Sequence, residues 1–207
     1  MSNYYRSIKI LEKERNVITL KEPLAIIGDL HGQFYDLLNI LDKIGEVEDS
    51  KYLFLGNYIN RRYFSVEVLL LLYSIKINYP KSVILLRGNH ECRKMSNYFN
   101  FHDEVIFKYD QEIFDKFMES FDFLPLSCVV NGKYLAVHGG ISPALRSPDD
   151  VNNINRFKEI PKTGIFTDIV WADPIESQDG ELKGLSCFND IRTCSIFYGI
   201  EVVNNFL

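Results

Sequence analysis

The chain has 207 residues, 46% of them hydrophobic and 14% aromatic, and a formal charge of -5 at neutral pH. That is enough length and apolar content for one packed core, and too much for a disordered chain. The acidic balance excludes a broad nucleic-acid footprint. The longest oily run, "VEVLLLLYSIKI", is cut by Glu67 and Lys76 and falls short of a membrane span.

In chain order, the N-terminal "MSNYYRSIKILEKERN" lacks the apolar core of a signal peptide and predicts a helix over about 4–14. Leu24 to Gly28 reads as a buried strand. Gln33 to Ile44 reads as an amphipathic helix with Leu37, Leu38, Ile40 and Leu41 inward. Lys51 to Gly56 is a strand again, Phe64 to Tyr79 a helix stopped by Pro80, and Ser82 to Arg87 a third strand. Such repetition predicts a parallel βαβαβ first half.

Two helical segments follow over about 103–121. In one of them, "YDQEIFDKFMES", a charged face is backed by an apolar one. "LPLSCVVNGKYLAVHGG" predicts two strands joined by an Asn131-Gly132 hairpin turn. Residues 142–185, rich in Pro, Asp and Gly, read mostly as loop with short structured pieces, and "CSIFYGIEVVNNFL" as a strand plus helix. No repeat or linker interrupts the chain, so 1–207 is expected to be a single domain. Its apolar "NNFL" end reads as a domain cut short, with its last strands missing. Cys92, Cys128, Cys187 and Cys194 form no C-x-x-C pair and are expected to be reduced, mostly buried thiols in the cytoplasm or nucleus.

Four motifs stand where strands end: Gly28-Asp29-Leu30-His31-Gly32, Gly56-Asn57-Tyr58-Ile59-Asn60-Arg61, Arg87-Gly88-Asn89-His90-Glu91 and His138-Gly139-Gly140. Ligands of an open α/β sheet bind at the carboxyl ends of its strands, so all four are expected to meet in one crevice. Three of the four histidines lie in these motifs, and only His102 does not. Oxygen and imidazole donors together suit Mn²⁺, Fe or Zn²⁺ better than Ca²⁺. Any one of these motifs alone reads as a polar turn or a helix cap; all four in this order do not.

With "GDLHGQF", "YLFLGNYINRRYFS", "LLRGNHECR", "FDFLPLSCVVNGKYLAVHGGISP", "RFKEIP", "WADP" and "RTCSIFYG" in sequence, the chain resembles the metal-dependent Ser/Thr protein phosphatases. Within that phosphoprotein phosphatase family it is most similar to the calcineurin catalytic subunit, from about Leu20 onward. The resemblance implies an α/β fold: a metallophosphoesterase-type β-sandwich of mixed sheets flanked by helices. It also implies two divalent metal ions (Fe/Zn or Mn) and hydrolysis of phosphoserine or phosphothreonine by in-line attack of water.

Carried over by motif, Asp29 and His31 would ligate the first metal, position 57 would bridge both, and Asn89 and His138 would hold the second. His90 would protonate the leaving oxygen, position 60 would orient His90, and Arg61 and Arg192 would clamp the phosphate, alongside Asn89 and His90. The expected partner is a phosphoprotein, with no nucleic acid and no membrane. In the family, the segments that bind a regulatory subunit and calmodulin lie beyond the point matching Leu207, and so do a further histidine ligand and an active-site tyrosine.

One loop departs from the family's Gly-Asp-x-x-Asp-Arg-Gly. Asn57 and Asn60 stand where acids are expected, and Arg62 where Gly is expected. Asn57 removes the bridging charge, which weakens the two-metal cluster. Asn60 makes His90 a poorer acid, and Arg62 adds bulk where Gly permits a special backbone angle. The expected function is a calcineurin-like phosphatase domain with impaired turnover. The alternatives are a pseudophosphatase that binds phosphoprotein without turnover and, less favoured, a phosphoesterase acting on nucleotides.

Overall fold

Strand and helix alternate from Ala25 to Leu85 because each apolar run ends on a residue that stops it. The computed structural model describes residues 2–45, 47–48, 50–175 and 186–207. Helix α1 (Ser2–Lys13) leads into strand β1 (Val17–Leu20), then β2 (Ala25–Ile27) and α2 (Phe34–Ile44), which ends at Gly45 with φ 112°. Strand β3 (Tyr52–Phe54), helix α3 (Ser65–Asn78) and strand β4 (Val83–Leu85) complete the βαβαβ unit, and β2, β3 and β4 pair in parallel in that order.

Helices α4 (Arg93–Tyr98), α5 (Phe101–Lys108) and α6 (Gln111–Asp122) follow. Asp110 caps α6 by accepting the Ile113 N–H at 2.9 Å. Strands β5 (Ser127–Val130) and β6 (Tyr134–Ala136) form the hairpin, with Asn131 and Gly132 both at positive φ (55° and 66°), as a two-residue turn of that kind requires. Beyond it lie α7 (Pro148–Asn152), α8 (Ile165–Trp171), β7 (Asp173–Pro174), β8 (Ser186–Phe188), β9 (Ile196–Tyr198) and α9 (Ile200–Phe206). Strand β5 also pairs in parallel with β1, and β9 sits between β7 and β8.

The first two sheets lie face to face. Leu20, Cys128 and Val130 of one pack with Leu53 and Ile84 of the other in a single buried cluster. Side chains alternate along a strand, so Tyr52, Phe54, Val83 and Leu85 point the other way. They pack there with Leu11 of α1, Leu37 of α2, Leu69 of α3 and Phe121 of α6. On the far side, Val17, Val129 and Leu135 pack with Val151 of α7, Ile169 of α8 and Phe206 of α9. The result is a sheet sandwich flanked by helices on both faces. Each large apolar side chain so buried contributes about 1.5–3 kcal/mol.

Two buried arginines tie the second half to the first. Arg87 donates to the carbonyls of Glu91, Arg156 and Lys158 and to Asp122 Oδ1, with distances of 2.9–3.2 Å. Arg156 donates to the carbonyls of Leu11, Glu14 and Phe123 and to Asn16 Oδ1. The "RFKE" segment is therefore an internal strut, with Glu159 and Asp122 also holding Arg93.

Several expectations are corrected. Leu38 is 40% exposed, because the apolar stripe of α2 runs through Phe34, Leu37, Ile40 and Leu41. Cys92 and Cys128 are buried, but Cys187 is exposed and Cys194 half-buried. Strands β1 and β8 and helix α4 are additions to the expected elements. Of the expected loop region, 176–185 lies outside the described residues, and α7, α8 and β7 supply its structured pieces.

Candidate active site

The four motifs follow β2, β3, β4 and β6, and their backbones are joined before any side chain is considered. Leu30 N–H and His31 N–H donate to the Asn57 carbonyl at 3.0 and 2.9 Å, and Gly32 N–H donates to the Tyr58 carbonyl at 2.9 Å. The second and third loops cross at Gly56 and Gly88. A Cβ on Gly56 would lie 2.4 Å from Gly88 N, and one on Gly88 would lie 2.5 Å from Asn57 N. Only glycine allows that approach.

Glu91 locks the crossing, a role the sequence reading did not assign. Its fully buried carboxylate accepts the backbone N–H groups of Asn57, Tyr58 and Gly88 at 2.7, 2.8 and 2.9 Å. Burial pushes this carboxyl above its ordinary range, against the pull of the three N–H groups.

One cleft of about 210 Å³ is lined by Asp29, Asn57, Arg61, Asn89, His90, His138 and Arg192, together with Asp173 and Trp171. His31 is buried against Asp29 and His90, with its ring 4.7 Å from the His90 ring. All the candidate residues of the sequence therefore come together. His31, Asn57, Asn60 and Arg61 adopt positive φ (45°, 58°, 71° and 71°). Asparagine tolerates that region and arginine does not, so Arg61 holds strain of the sort found at functional sites. Arg62 does not share it, which corrects the expectation that position 62 needs a special backbone angle.

The donor chemistry can be read atom by atom. His31 Nδ1 stands 2.7 Å from the Ile59 carbonyl and so carries a proton. Its buried Nε2 has no hydrogen-bond partner, yet stands 3.2 Å from Asp29 Oδ2. Two electron-rich atoms that close require a positive species beside them, a ring proton or a cation. His138 Nδ1 likewise meets the Leu55 carbonyl at 2.9 Å, which turns Nε2 away as a lone pair. Asn89 Oδ1 is buried with no hydrogen-bond partner. Asp29, His31, Asn89 and His138 thus fit a divalent cation.

Asp29 is charged throughout the neutral range. Burial pushes its carboxyl up, but the neighbouring His31, the hydrogen bond from Asn57 and the field of His138 outweigh burial and hold it at about 2. Burial lowers His138, and it lowers His90 to about 3 together with the nearby His31 and Arg61.

Asn57 does not fit as a bridge. Its Nδ2 donates to Asp29 Oδ2 at 3.1 Å, and its Oδ1 accepts the His90 backbone N–H at 3.0 Å. Among the described residues, no group of three or more His, Cys, Asp and Glu side chains is arranged to hold a metal ion.

Asn60 is fully buried, with Nδ2 2.8 Å from His90 Nδ1. Arg192 is gripped by Asp173 through Nε and Nη2 at 2.8 and 3.1 Å, and Asn189 Nδ2 steadies the same carboxylate at 2.8 Å. That leaves the remaining guanidinium donors for an anion in the cleft.

The calcineurin-like phosphoesterase model matches residues 22–207. The chain is 45% identical over 205 residues to the serine/threonine-protein phosphatase 2B catalytic subunit A1 of Saccharomyces cerevisiae, covering 95% of this chain and 37% of that one. It is 41% identical over 206 residues to the PP2A-like serine/threonine-protein phosphatase PPG1 of the same yeast, covering 96% of this chain and 56% of that one. A solved structure of a yeast protein serine/threonine phosphatase with similarity to human phosphatase PP5 superposes with a TM-score of 0.87 at 35% identity. That match covers 100% of this chain and 65% of that one. The chain therefore spans about a third to two thirds of the relatives it matches.

Proposed function

The chain belongs to the calcineurin-like phosphoesterase family, and from that premise we propose that its cleft recognises phosphoserine or phosphothreonine in proteins and hydrolyses it at an impaired rate. The observation that carries this reading is the placement of Arg61 and Arg192 in one cleft with Asp29, Asn89, His90 and His138. Asp29, His31, Asn89 and His138 would hold divalent metal (Mn or an Fe/Zn pair), and Asn57 would contribute only by releasing Asp29. A bound metal supplies Lewis acidity and lowers the pKa of water. The arginines orient the phosphate, with Arg192 pre-set by Asp173. In the reaction, water oxygen bonds to phosphorus as the ester P–O bond breaks, and the departing serine or threonine oxygen takes up a proton.

A second reading is a pseudophosphatase that grips a phosphoprotein without turnover. It is favoured by the Asn57 amide, whose hydrogen sits against Asp29 where a cation would otherwise be drawn. Metal content by mass spectrometry, paired with phosphopeptide binding and turnover in Mn²⁺, separates the two. Turnover above the metal-free control supports the first, and phosphopeptide binding without turnover supports the second. Failure to bind a phosphopeptide at all overturns both.

A further inference from the structure

The amide of Asn60 is surrounded by partners that leave it one orientation. Its Oδ1 accepts the Phe101 backbone N–H at 3.1 Å, and its Nδ2 lies 3.3 Å from the Met95 carbonyl. A flipped amide would set N–H₂ against an N–H and oxygen against a carbonyl, breaking both contacts in a site with no water access. The remaining Nδ2 hydrogen points at His90 Nδ1, 2.8 Å away, so that ring nitrogen must accept. We infer that Asn60 fixes His90 as the tautomer with its proton on Nε2, so that the ring presents an N–H donor to the phosphate cleft.

The inference rests on the proposed phosphate site and specifies how that site treats its ligand. A carboxylate at position 60 would accept a proton from Nδ1 and leave Nε2 free to exchange its own. Asn60 does the reverse. Nε2–H, on the far side of the ring from Asn60, can donate to a phosphoryl oxygen. Surrendering that proton would leave an imidazolate, because Nδ1 holds no proton. Adding one to Nδ1 would oppose two donors. The ring is otherwise held in place: Phe99 stacks on it at 5.0 Å and His31 meets it edge-on. Asn60 is in this sense a positioning residue, and the tautomer is its signature.

The test is a long-range ¹H–¹⁵N correlation of the histidine rings in the metal-free whole chain, with the His90 signals identified by their loss in His90→Gln. The expected result is a pyridine-like Nδ1 and a pyrrole-like Nε2 for His90 at neutral pH. In Asn60→Asp the pyrrole-like nitrogen is expected to become Nδ1, or both nitrogens to be protonated. In Asn60→Ala the two tautomers should average. A wild-type His90 with its proton on Nδ1, or already averaging, overturns the inference whether or not the position-60 variants fold. The readout needs no turnover, so it can fail while the phosphatase reading stands, and the reverse also holds.

Discussion

Asn57 gives its amide hydrogen to Asp29 across 3.1 Å, so a neutral side chain occupies the contact that a carboxylate could share with a cation. Restoring the charge should restore the cation. Asn57→Asp is expected to raise bound Mn²⁺ from at most one ion per chain to two. It should also tighten apparent affinity by about 10–100-fold, the usual size of a change beside a metal ligand. Native mass spectrometry and calorimetric titration check this, and unchanged stoichiometry would remove Asn57 as the cause.

Arg61 and Arg192 should act on anion binding ahead of any rate. A charge-assisted hydrogen bond is worth about 1.5–3 kcal/mol. Arg61→Ala or Arg192→Ala is therefore expected to weaken phosphopeptide binding by about 10–100-fold, with Arg192→Ala also losing the stability its pair with Asp173 supplies. Equal binding in all three proteins would place the phosphate elsewhere.

Asp173 sets Arg192, and the pair carries a pH signature. The hydrogen bond from Arg192, offset in part by burial, holds the Asp173 carboxyl below its ordinary value of 3.8. Its folded pKa is depressed, so its stabilising contribution is present above the ordinary value and is lost as pH falls through the folded one. Urea denaturation should show Asp173→Asn less stable than wild type near neutral pH, with the difference closing below pH 3.8. A gap that persists in acid would mean the pair is held by shape and not by charge.

Glu91 should behave as a structural clamp with a functional consequence. Glu91→Ala orphans three buried N–H groups. At about 1–3 kcal/mol each, the expected loss is at least about 3 kcal/mol, read from the urea midpoint, with phosphopeptide binding falling in parallel. A variant of near-normal stability would show that water can take over the N–H groups.

Arg87 is expected to be as intolerant. Arg87→Met leaves Asp122 to Arg93 alone and frees the carbonyls of Glu91, Arg156 and Lys158, at about 1–3 kcal/mol for each buried group left unpaired. Limited proteolysis should then cut first near Lys158, whereas cleavage confined to the termini would contradict the strut.

Much of the fold could be read from the sequence because its first half is local. Strands β2, β3 and β4 are apolar runs ending at Gly or at an arginine before Gly, and each pairs with its neighbour in the chain. Asn131-Gly132 announces its own turn. Strand β1 escaped because Val17–Leu20 is short and its partner, Ser127–Val130, is more than a hundred residues away, so nothing local marks it. Helix α4 is six residues long and capped by a cysteine, an uncommon signal. The cleft residues were legible because glycines bracket them. Glu91 was not: a glutamate in a polar loop reads as solvated until three backbone donors are seen converging on it. The lock on His90 was equally hidden, since it depends on Phe101 and Met95, which lie far along the chain from Asn60.

The crossing of Gly56 and Gly88 is a contact of backbone on backbone, clamped by the one carboxylate of Glu91. Placing acids at 57 and 60, or glycine at 62, is expected to leave that contact in place. A survey of substitutions across this region should therefore give an inverted map of tolerance. Positions nearest the phosphate would accept polar replacements with little loss of folded protein, and the two featureless glycines would accept none.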